Sequence, residues 1–309
     1  MTDRADIPEL SIVVTIIDGG DSLRAFLRAV TSFDDPPSHE VILPHDASRP
    51  EVPAMAAEFP TVRFLDIGRI DPIHPITTEA GLHELYDRRR ARGLAASRGR
   101  IIAILEDRGH PRADWARQIV RLHAETGCHV VGGGIECREP ASLLNFAFYL
   151  TDFGRYGLPF ESGPAEWVSD VNVSYSRQAL DEMRPLWKDR YHEPLVHKYL
   201  MDKGERLWLS NEMIIFHGRA PCTLGYLVPE RFHWGRLFGH IRTMTMGEAE
   251  RWKLILMSPL IPPLLWLRHG VTQWKKGRGI RYLKALPYTM ILTTAWIAGE
   301  VWGYVTKKP

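Results

Sequence analysis

Four short apolar runs, at residues 10–17, 41–43, 62–65 and 101–105, constrain this chain most, because each breaks off at a polar cluster and helical stretches lie between them. β-branched runs of this length, without alternation, read as strands buried on both faces. Residues 22–33 place Leu23, Phe26, Leu27 and Val30 at helical spacing, and residues 83–98 form an Arg-rich helical stretch before the fourth run. Strands alternating with helices predict an α/β architecture, a mostly parallel sheet flanked by helices, in which ligands bind beyond the carboxyl ends of the strands. Three polar clusters fall at such ends: Asp18-Gly-Gly, His45-Asp46-Ala-Ser48 and Glu106-Asp107-Arg108.

Further along, residues 113–124 read as a helix with Trp115, Ile119 and Leu122 on one side, and Val130-Val131 as a strand entering Gly132-Gly133-Gly134. Residues 142–150 are amphipathic, 170–175 alternate as a strand, 191–201 are helical, and 206–209 and 213–216 read as two short strands. No internal repeat or low-complexity segment interrupts the pattern.

At 309 residues the chain can bury one large α/β core and carry an appendage. The expected division is a main domain over 1–240 and an apolar helical region over 241–309. Charge separates the two ends: residues 248–309 carry +7 and the remainder −5. An acidic body with a basic, apolar tail argues against nucleic acid and for an anionic membrane surface. Cys128, Cys137 and Cys222 are too few and too scattered for a disulfide framework or a metal site, which fits a reducing compartment. The polar segment 1–10 shows no apolar leader, so the body is expected to stay in the cytosol.

Several residues are candidates for chemistry, each with a plainer reading beside it. Asp46 can accept a hydrogen bond from a nucleobase, or simply form a turn. Adjacent Glu106 and Asp107 can serve a cation or sugar hydroxyls, or be a solvated pair. His217, at the end of an apolar run, suits a divalent transition metal or a structural bond. Glu193, next to Pro194 at a helix start, can act as a general base or merely favour the helix N-terminus. In 231–236, Arg231 and Arg236 can neutralise a diphosphate and Trp234 can stack on a sugar, unless the segment is an amphipathic linker helix.

Taken in order, these pieces resemble the family 2 inverting glycosyltransferases, which share the GT-A, Rossmann-like fold. Ser11-Ile-Val-Val14 with Asp18, Gly19 and Gly20 looks like their first strand and turn, and His45-Asp-Ala-Ser48 like their nucleotide element. Residues 91–99, with Arg92, followed by 101–107 look like the approach to their Asp-x-Asp motif. Asn172, Glu193, His217 and 231–236 resemble acceptor-side elements of a bacterial, membrane-linked branch. The resemblance implies a nucleotide-sugar donor held by Asp18, Asp46, Arg92, Glu106, Asp107 and Arg108, with Asn172, Arg231, Trp234 and Arg236 at the diphosphate or acceptor. It also implies Glu193 as catalytic base and Mg2+ or Mn2+ on Asp107 and His217. Three positions depart from the pattern, one being His192-Glu193 where the family has a Glu-Asp pair, which keeps the acid function with a longer reach. Arg108 stands where the last Asp of the motif belongs and cannot ligate a metal, so it either leaves the cation to Asp107 and His217 or replaces part of its charge. His45 replaces the first Asp of the nucleotide element.

The tail is expected to lie on or dip into the inner leaflet. Residues 252–267 are apolar but carry Lys253, Pro259, Pro262 and Pro263, which suits an interfacial or re-entrant segment. Residues 285–305 are long enough to span, to form a hairpin arm, or to be a buried core helix. Between them, 268–284 hold six Lys/Arg and no acid, a pattern kept on the cytosolic side. The expectation is an inverting glycosyltransferase at the cytoplasmic face of the cell membrane, acting on a lipid-linked or envelope acceptor. A degenerate nucleotide-sugar-binding module and a membrane scaffold are the rival readings.

Overall fold

The computed structural model describes residues 7–309, so part of the polar N-terminal segment, residues 1–6, lies outside the described residues. The chain divides into two compact units: one built from the residues up to Ile73 with Glu84–Ile135 and Phe160–His217, the other from His74–His83, Glu136–Pro159 and Gly218–Pro309.

The first unit opens with β1 (Leu10–Thr15), α1 (Gly20–Val30), β2 (His39–His45), β3 (Val62–Asp66), α2 (Glu79–Ala96) and β4 (Ile101–Glu106). There follow β5 (Gly109–Pro111), α3 (Trp115–Thr126), β6 (Val130–Cys137), β7 (Gly163–Ala165) and β8 (Asn172–Ser176). The short helices α5 (Arg177–Glu182) and α6 (Arg184–Trp187) lead to α7 (Glu193–Asp202) and β9 (Leu207–His217). β1 is buried along its whole length because it is central, paired in parallel with β2 on one side and β4 on the other. Leu23, Phe26, Leu27 and Val30 are the buried face of α1, and Trp115, Ile119 and Leu122 lie on that of α3, as their spacing predicts.

The sheet is mixed, not mostly parallel as the sequence suggested. Its order is β3-β2-β1-β4-β8-β6-β9-β5, with β7 on β9. The parallel half, β3 to β4, is the part built from helical crossovers. Beyond it β8 runs antiparallel to β4 and β6, and β9 antiparallel to β5 and β7.

Two local expectations also change. Residues 206–209 and 213–216 belong to one continuous strand, β9, because Asn211 is held extended between them by its bonds to Ser162 and the Phe160 carbonyl. The strand entered at Val130 does not end at the glycines but runs through them to Cys137. A Cβ on Gly132 would sit 2.3 Å from Val168, and one on Gly133 only 1.8 Å from the Met213 carbonyl, so these glycines mark close approach and not a turn.

The second unit is helical: α4 (Leu143–Phe153), α8 (Leu224–Thr243), α9 (Glu248–Met257), α10 (Ile261–Lys275) and α11 (Gly279–Thr306). The expected boundary at 240/241 cuts through α8, whereas α8 belongs wholly to this unit and packs along α11. The reason is a pair of Gly-x-x-x-Gly steps. A Cβ on Gly235 or Gly239 would lie 2.1 or 2.3 Å from the carbonyl of Trp296 or Glu300. One on Gly299 or Gly303 would lie 1.9 or 2.2 Å from that of Phe232 or Arg236. Backbone therefore meets backbone on both helices, a contact that small residues alone permit. Replacing Gly299 by Ala should cost about 1–3 kcal/mol through overpacking, whereas Gly225→Ala, in open space on the same α8, should be neutral or stabilising. Thermal unfolding of the two variants in detergent checks this, and equal midpoints would contradict the close packing.

The run Glu248–Lys275 is long and apolar enough to cross a membrane by length and composition, and only 11% of its apolar window is buried. Pro259 lies in a short 3-10 turn, Ser258–Leu260, that separates α9 from α10, while Pro262 and Pro263 occupy the first turn of α10, where a missing N–H costs nothing. Trp252, Leu256, Leu260, Leu264, Leu267, Val271 and Trp274 form an exposed stripe at three- and four-residue spacing. Buried in the same unit are His269, Gln273, Thr289, Thr293 and Glu300. The unit also buries Phe146, Leu150, Leu227, Ile241 and Leu292, so polar and apolar side chains share its interior while a long apolar stripe faces outward.

Candidate functional site

The site is built at the carboxyl ends of β1, β2 and β4. Thr15 and Glu106 are register partners there, and Asp107 N–H donates to the Thr15 carbonyl at 3.2 Å, so β4 delivers its acidic cluster beside the turn that follows β1. Asp107 is fully buried and faces that turn. Its Oδ1 accepts N–H bonds from Ile17 (3.0 Å) and Asp18 (3.2 Å), and its Oδ2 accepts one from Gly19 (2.7 Å). Gly19 and Gly20 have φ of +71° and +53°, so the turn uses the left-handed region that glycine tolerates. Burial pushes the Asp107 acid up to about 6, with the amide donors pulling the other way. Asp107 was expected to ligate a metal; the contacts the structure shows for both of its oxygens are to the backbone amides of the 17–19 turn. Arg108 grips Asp18 bidentately, Nη2 to Oδ1 at 2.5 Å and Nε to Oδ2 at 3.0 Å, with the two side chains only partly exposed.

Asp46 is almost completely buried, and the carboxylate expected to meet a nucleobase is already engaged. Arg89 Nε donates to Asp46 Oδ2 at 2.6 Å and Ser48 N–H to Oδ1 at 2.8 Å. Arg89 also donates to the Ile16 carbonyl (2.8 Å) and to Ser48 Oγ (3.0 Å), tying the ends of β1 and β2 together. Burial raises the Asp46 acid, but the bond and charge of Arg89 more than offset it, leaving the carboxyl below its ordinary range. The plainer expectation, a turn-forming Asp, describes the Ser48 contact. His45 is buried and held neutral by its desolvation.

Glu106 and His217 come together, although 111 residues separate them in the chain: Oε1 and Nε2 are 2.8 Å apart. β5 makes the connection, because it turns back immediately after β4 and pairs Gly109 with His217 on β9. His217 is thus joined to Glu106, where the sequence had coupled it to Asp107. Burial alone would raise the Glu106 acid; the His217 bond, then the charges of Arg108 and Arg90, bring it below its ordinary range.

Arg90 is the hub of the site. Its Nη1 pairs with Asp170 at 2.7 Å, its Nη2 lies 3.9 Å from Glu106, and its Nε donates to Thr15 Oγ1 at 3.1 Å. Asp170 in turn brings Glu193 to the same place, since its backbone N–H lies 3.4 Å from Glu193 Oε2. Glu193 is the first residue of α7, partly exposed, with His197 Nδ1 3.3 Å from its Oε1. The loop before it is clamped by buried Asp87, which meets Arg190 at 3.4 Å and His192 at 3.1 Å. Asp18, Asp46, Glu106, Asp107, Arg108, Glu193 and His217 therefore lie along one connected polar network.

The other sequence candidates make different contacts. Asn172 is buried and fully committed: it accepts from Trp115 Nε1 (2.9 Å) and donates to the carbonyls of Gly134 (3.0 Å) and Met213 (2.9 Å). With no capacity to spare, it fastens β8 to its neighbours and does not meet a diphosphate. Arg92 is exposed on α2, while Arg89 and Arg90 are the α2 arginines that enter the site. Arg231, Trp234 and Arg236 are on α8 of the second unit. Arg231 is buried in an ion pair with Asp152 and packed over Phe148 and Trp296, at 4.5 and 5.4 Å from the ring centres, so its charge is already compensated. Trp234 meets the edge of His83, and both Trp234 and Arg236 are half-buried in that unit.

Sequence reasoning missed Arg89, Arg90 and Asp170. The signal was the run Arg88-Arg89-Arg90-Ala91-Arg92, too many cations in succession for one solvated helix face.

No family model matches the chain. It is 23% identical over 303 residues to "Glycosyltransferase AglE" of Haloferax volcanii, covering 94% of this chain and 92% of that protein. Among solved structures it is similar to a mannosyltransferase, PcManGT from Pyrobaculum calidifontis, in complex with GDP-Man and Mn2+. That likeness has a TM-score of 0.58 and 12% identity, over 98% of this chain and 88% of the other. The chain thus has the fold of a solved mannosyltransferase and is similar over nearly its whole length to a curated glycosyltransferase.

Proposed function

We propose that this chain is a glycosyltransferase of the family 2, GT-A kind that moves a sugar from a nucleotide-sugar donor to a hydroxyl acceptor by single displacement with inversion. The observation that carries the reading is the meeting of Glu193 with the Glu106–His217 pair through Asp170 and Arg90, at the rim where a parallel sheet binds ligands. A carboxylate at a helix start, next to a cationic and imidazole-bearing pocket, supplies a base and a place for the leaving diphosphate. The curated relative is named a glycosyltransferase, and the fold neighbour was solved with GDP-Man.

In this mechanism Glu193 takes the acceptor proton and the hydroxyl attacks the anomeric carbon in line. Arg90 and Arg108 face the leaving diphosphate. Asp46 acts on the base indirectly, by fixing the 45–49 turn through Arg89. Glu106 and His217 are joined by a 2.8 Å hydrogen bond; a carboxylate and an imidazole are suitable ligand types, and they are the residues that would hold Mn2+ or Mg2+ if that bond gave way and donor phosphates completed the coordination. When bound, the cation would neutralise charge developing on the diphosphate.

The second unit supports a membrane setting at the cytoplasmic face. Its exposed apolar stripe and the basic segment 268–284 suit an inner leaflet with anionic lipids, which would place the site near a lipid-linked acceptor. The expected result is transfer to lipid-linked acceptors in vesicles, and transfer to soluble acceptors alone, with no vesicle binding, would defeat that part.

The deciding experiment is a thermal-shift screen of the full chain against UDP-, GDP- and dTDP-sugars, with and without Mn2+ or Mg2+, followed by product analysis. Stabilisation by one donor together with a glycosylated product is expected. Arg108 closed onto Asp18 specifically favours a second reading, a module that binds the donor without transferring it. Donor binding with no product under any acceptor condition would establish that reading instead.

A further inference from the structure

Glu193 and His197 stand one turn apart on α7, and the imidazole is completely buried. Its Nε2 lies 2.7 Å from the hydroxyl of Tyr175 on β8, which lies 2.5 Å from the hydroxyl of Tyr191. Its Nδ1 lies 3.3 Å from Glu193 Oε1, close enough for charge attraction though outside hydrogen-bond alignment, and has no other hydrogen-bond partner among the described residues. Both tyrosines belong to the main apolar core of the first unit, so this row of polar atoms is set in rigid surroundings. Burial drives both tyrosine hydroxyls well above their ordinary range, so both keep their protons at neutral pH.

Proton counting then orders the row. With Tyr191 donating to Tyr175, the Tyr175 proton points at Nε2, and the ring proton resides on Nδ1, towards the carboxylate. The opposite tautomer would leave an unprotonated ring nitrogen 3.3 Å from the carboxylate, where the negative charge favours the N–H dipole instead. We infer that His197, locked as the Nδ1–H tautomer by Tyr175 and Tyr191, is a positioning residue that orients the carboxylate of Glu193. The Asp170 N–H on the other oxygen completes the clamp, so the plane of the carboxylate is set from both sides. This role rests on the reading of Glu193 as the base. A partner held behind the carboxylate in this way fixes the angle at which a base meets its proton.

The test uses the full-length protein in detergent. In 15N NMR, the His197 ring, identified by its loss in His197→Asn, should show Nδ1 protonated and Nε2 unprotonated in the wild type. Tyr175→Phe should mix the tautomers and lower kcat about five- to tenfold, the rate equivalent of one hydrogen bond, with donor KM unchanged. His197→Asn, whose amide N–H can approach the Nδ1 position, should retain more kcat than His197→Ala. An Nε2–H tautomer in the wild type overturns the inference. So does an Nδ1–H signal that persists in Tyr175→Phe with unaltered kcat, and that outcome leaves the base reading intact. Full activity of Glu193→Gln would remove the base reading itself and this role with it.

Discussion

Glu193→Gln is expected to lower the kcat of sugar transfer by about 10²–10⁴-fold, the usual worth of a positioned general base, while the donor still shifts the melting temperature as in the wild type. The substitution keeps the size of the side chain and one accepting oxygen, so it can hold either Asp170 N–H or His197 but not both, and it removes the ability to take a proton. The groups proposed to meet the donor, Arg90, Arg108, Glu106 and His217, are untouched, so a loss of donor binding would mean that Glu193 shapes the pocket and is not the base. Transfer at the wild-type rate would take Glu193 out of the chemistry altogether. Initial-rate measurement beside a donor titration separates the three results.

The largest stability effect is expected at Asp46. Asp46→Ala should cost about 3–5 kcal/mol, because it strands the guanidinium of Arg89, itself 1% exposed, without its counter-charge. Its Ile16 and Ser48 contacts satisfy hydrogen bonds but bring no negative charge. Chemical denaturation measures the cost, and a change below about 1 kcal/mol, the size expected of a surface pair, would show that the site is solvated. The pH dependence has a definite sign. Arg89 holds the folded-state pKa of Asp46 below the ordinary value of 3.8, so the pair stabilises the protein above that value and the contribution fades as pH falls through the lowered pKa. The difference between wild type and Asp46→Ala should accordingly be full near neutrality and shrink in acid. A difference that grows on acidification would contradict the assignment.

Much of the first unit was legible because its signals are local. An unbroken β-branched run such as residues 10–17 has no stable partner except a sheet covered on both faces, and Leu23, Phe26, Leu27 and Val30 repeat at the period that one buried helical face requires. Acids just beyond strand ends pointed to the rim for the same reason. The mixed sheet was not legible: strand direction depends on which segment closes onto which, and nothing in residues 170–176 distinguishes an antiparallel neighbour of β4 from a parallel one. The close approach at Gly132 and Gly133 was not legible either, because a glycine needed for close packing reads in sequence like one needed for a turn.

The candidate site follows the same division. Sequence alone determined that Asp18, Asp46, Glu106 and Asp107 would lie at one edge, since strand ends in a parallel half-sheet must coincide, and that Glu193 would begin a helix next to Pro194. Only the tertiary structure decided what each carboxylate does there. It turned Asp107 inward to three amides, closed Arg108 on Asp18, spent Asp46 on Arg89, and coupled His217 to Glu106. The physical reason is that a charged side chain's role is set by the partner that compensates it on burial. Such partners lie 43 to 111 residues away in the chain, beyond the reach of any periodicity or local spacing.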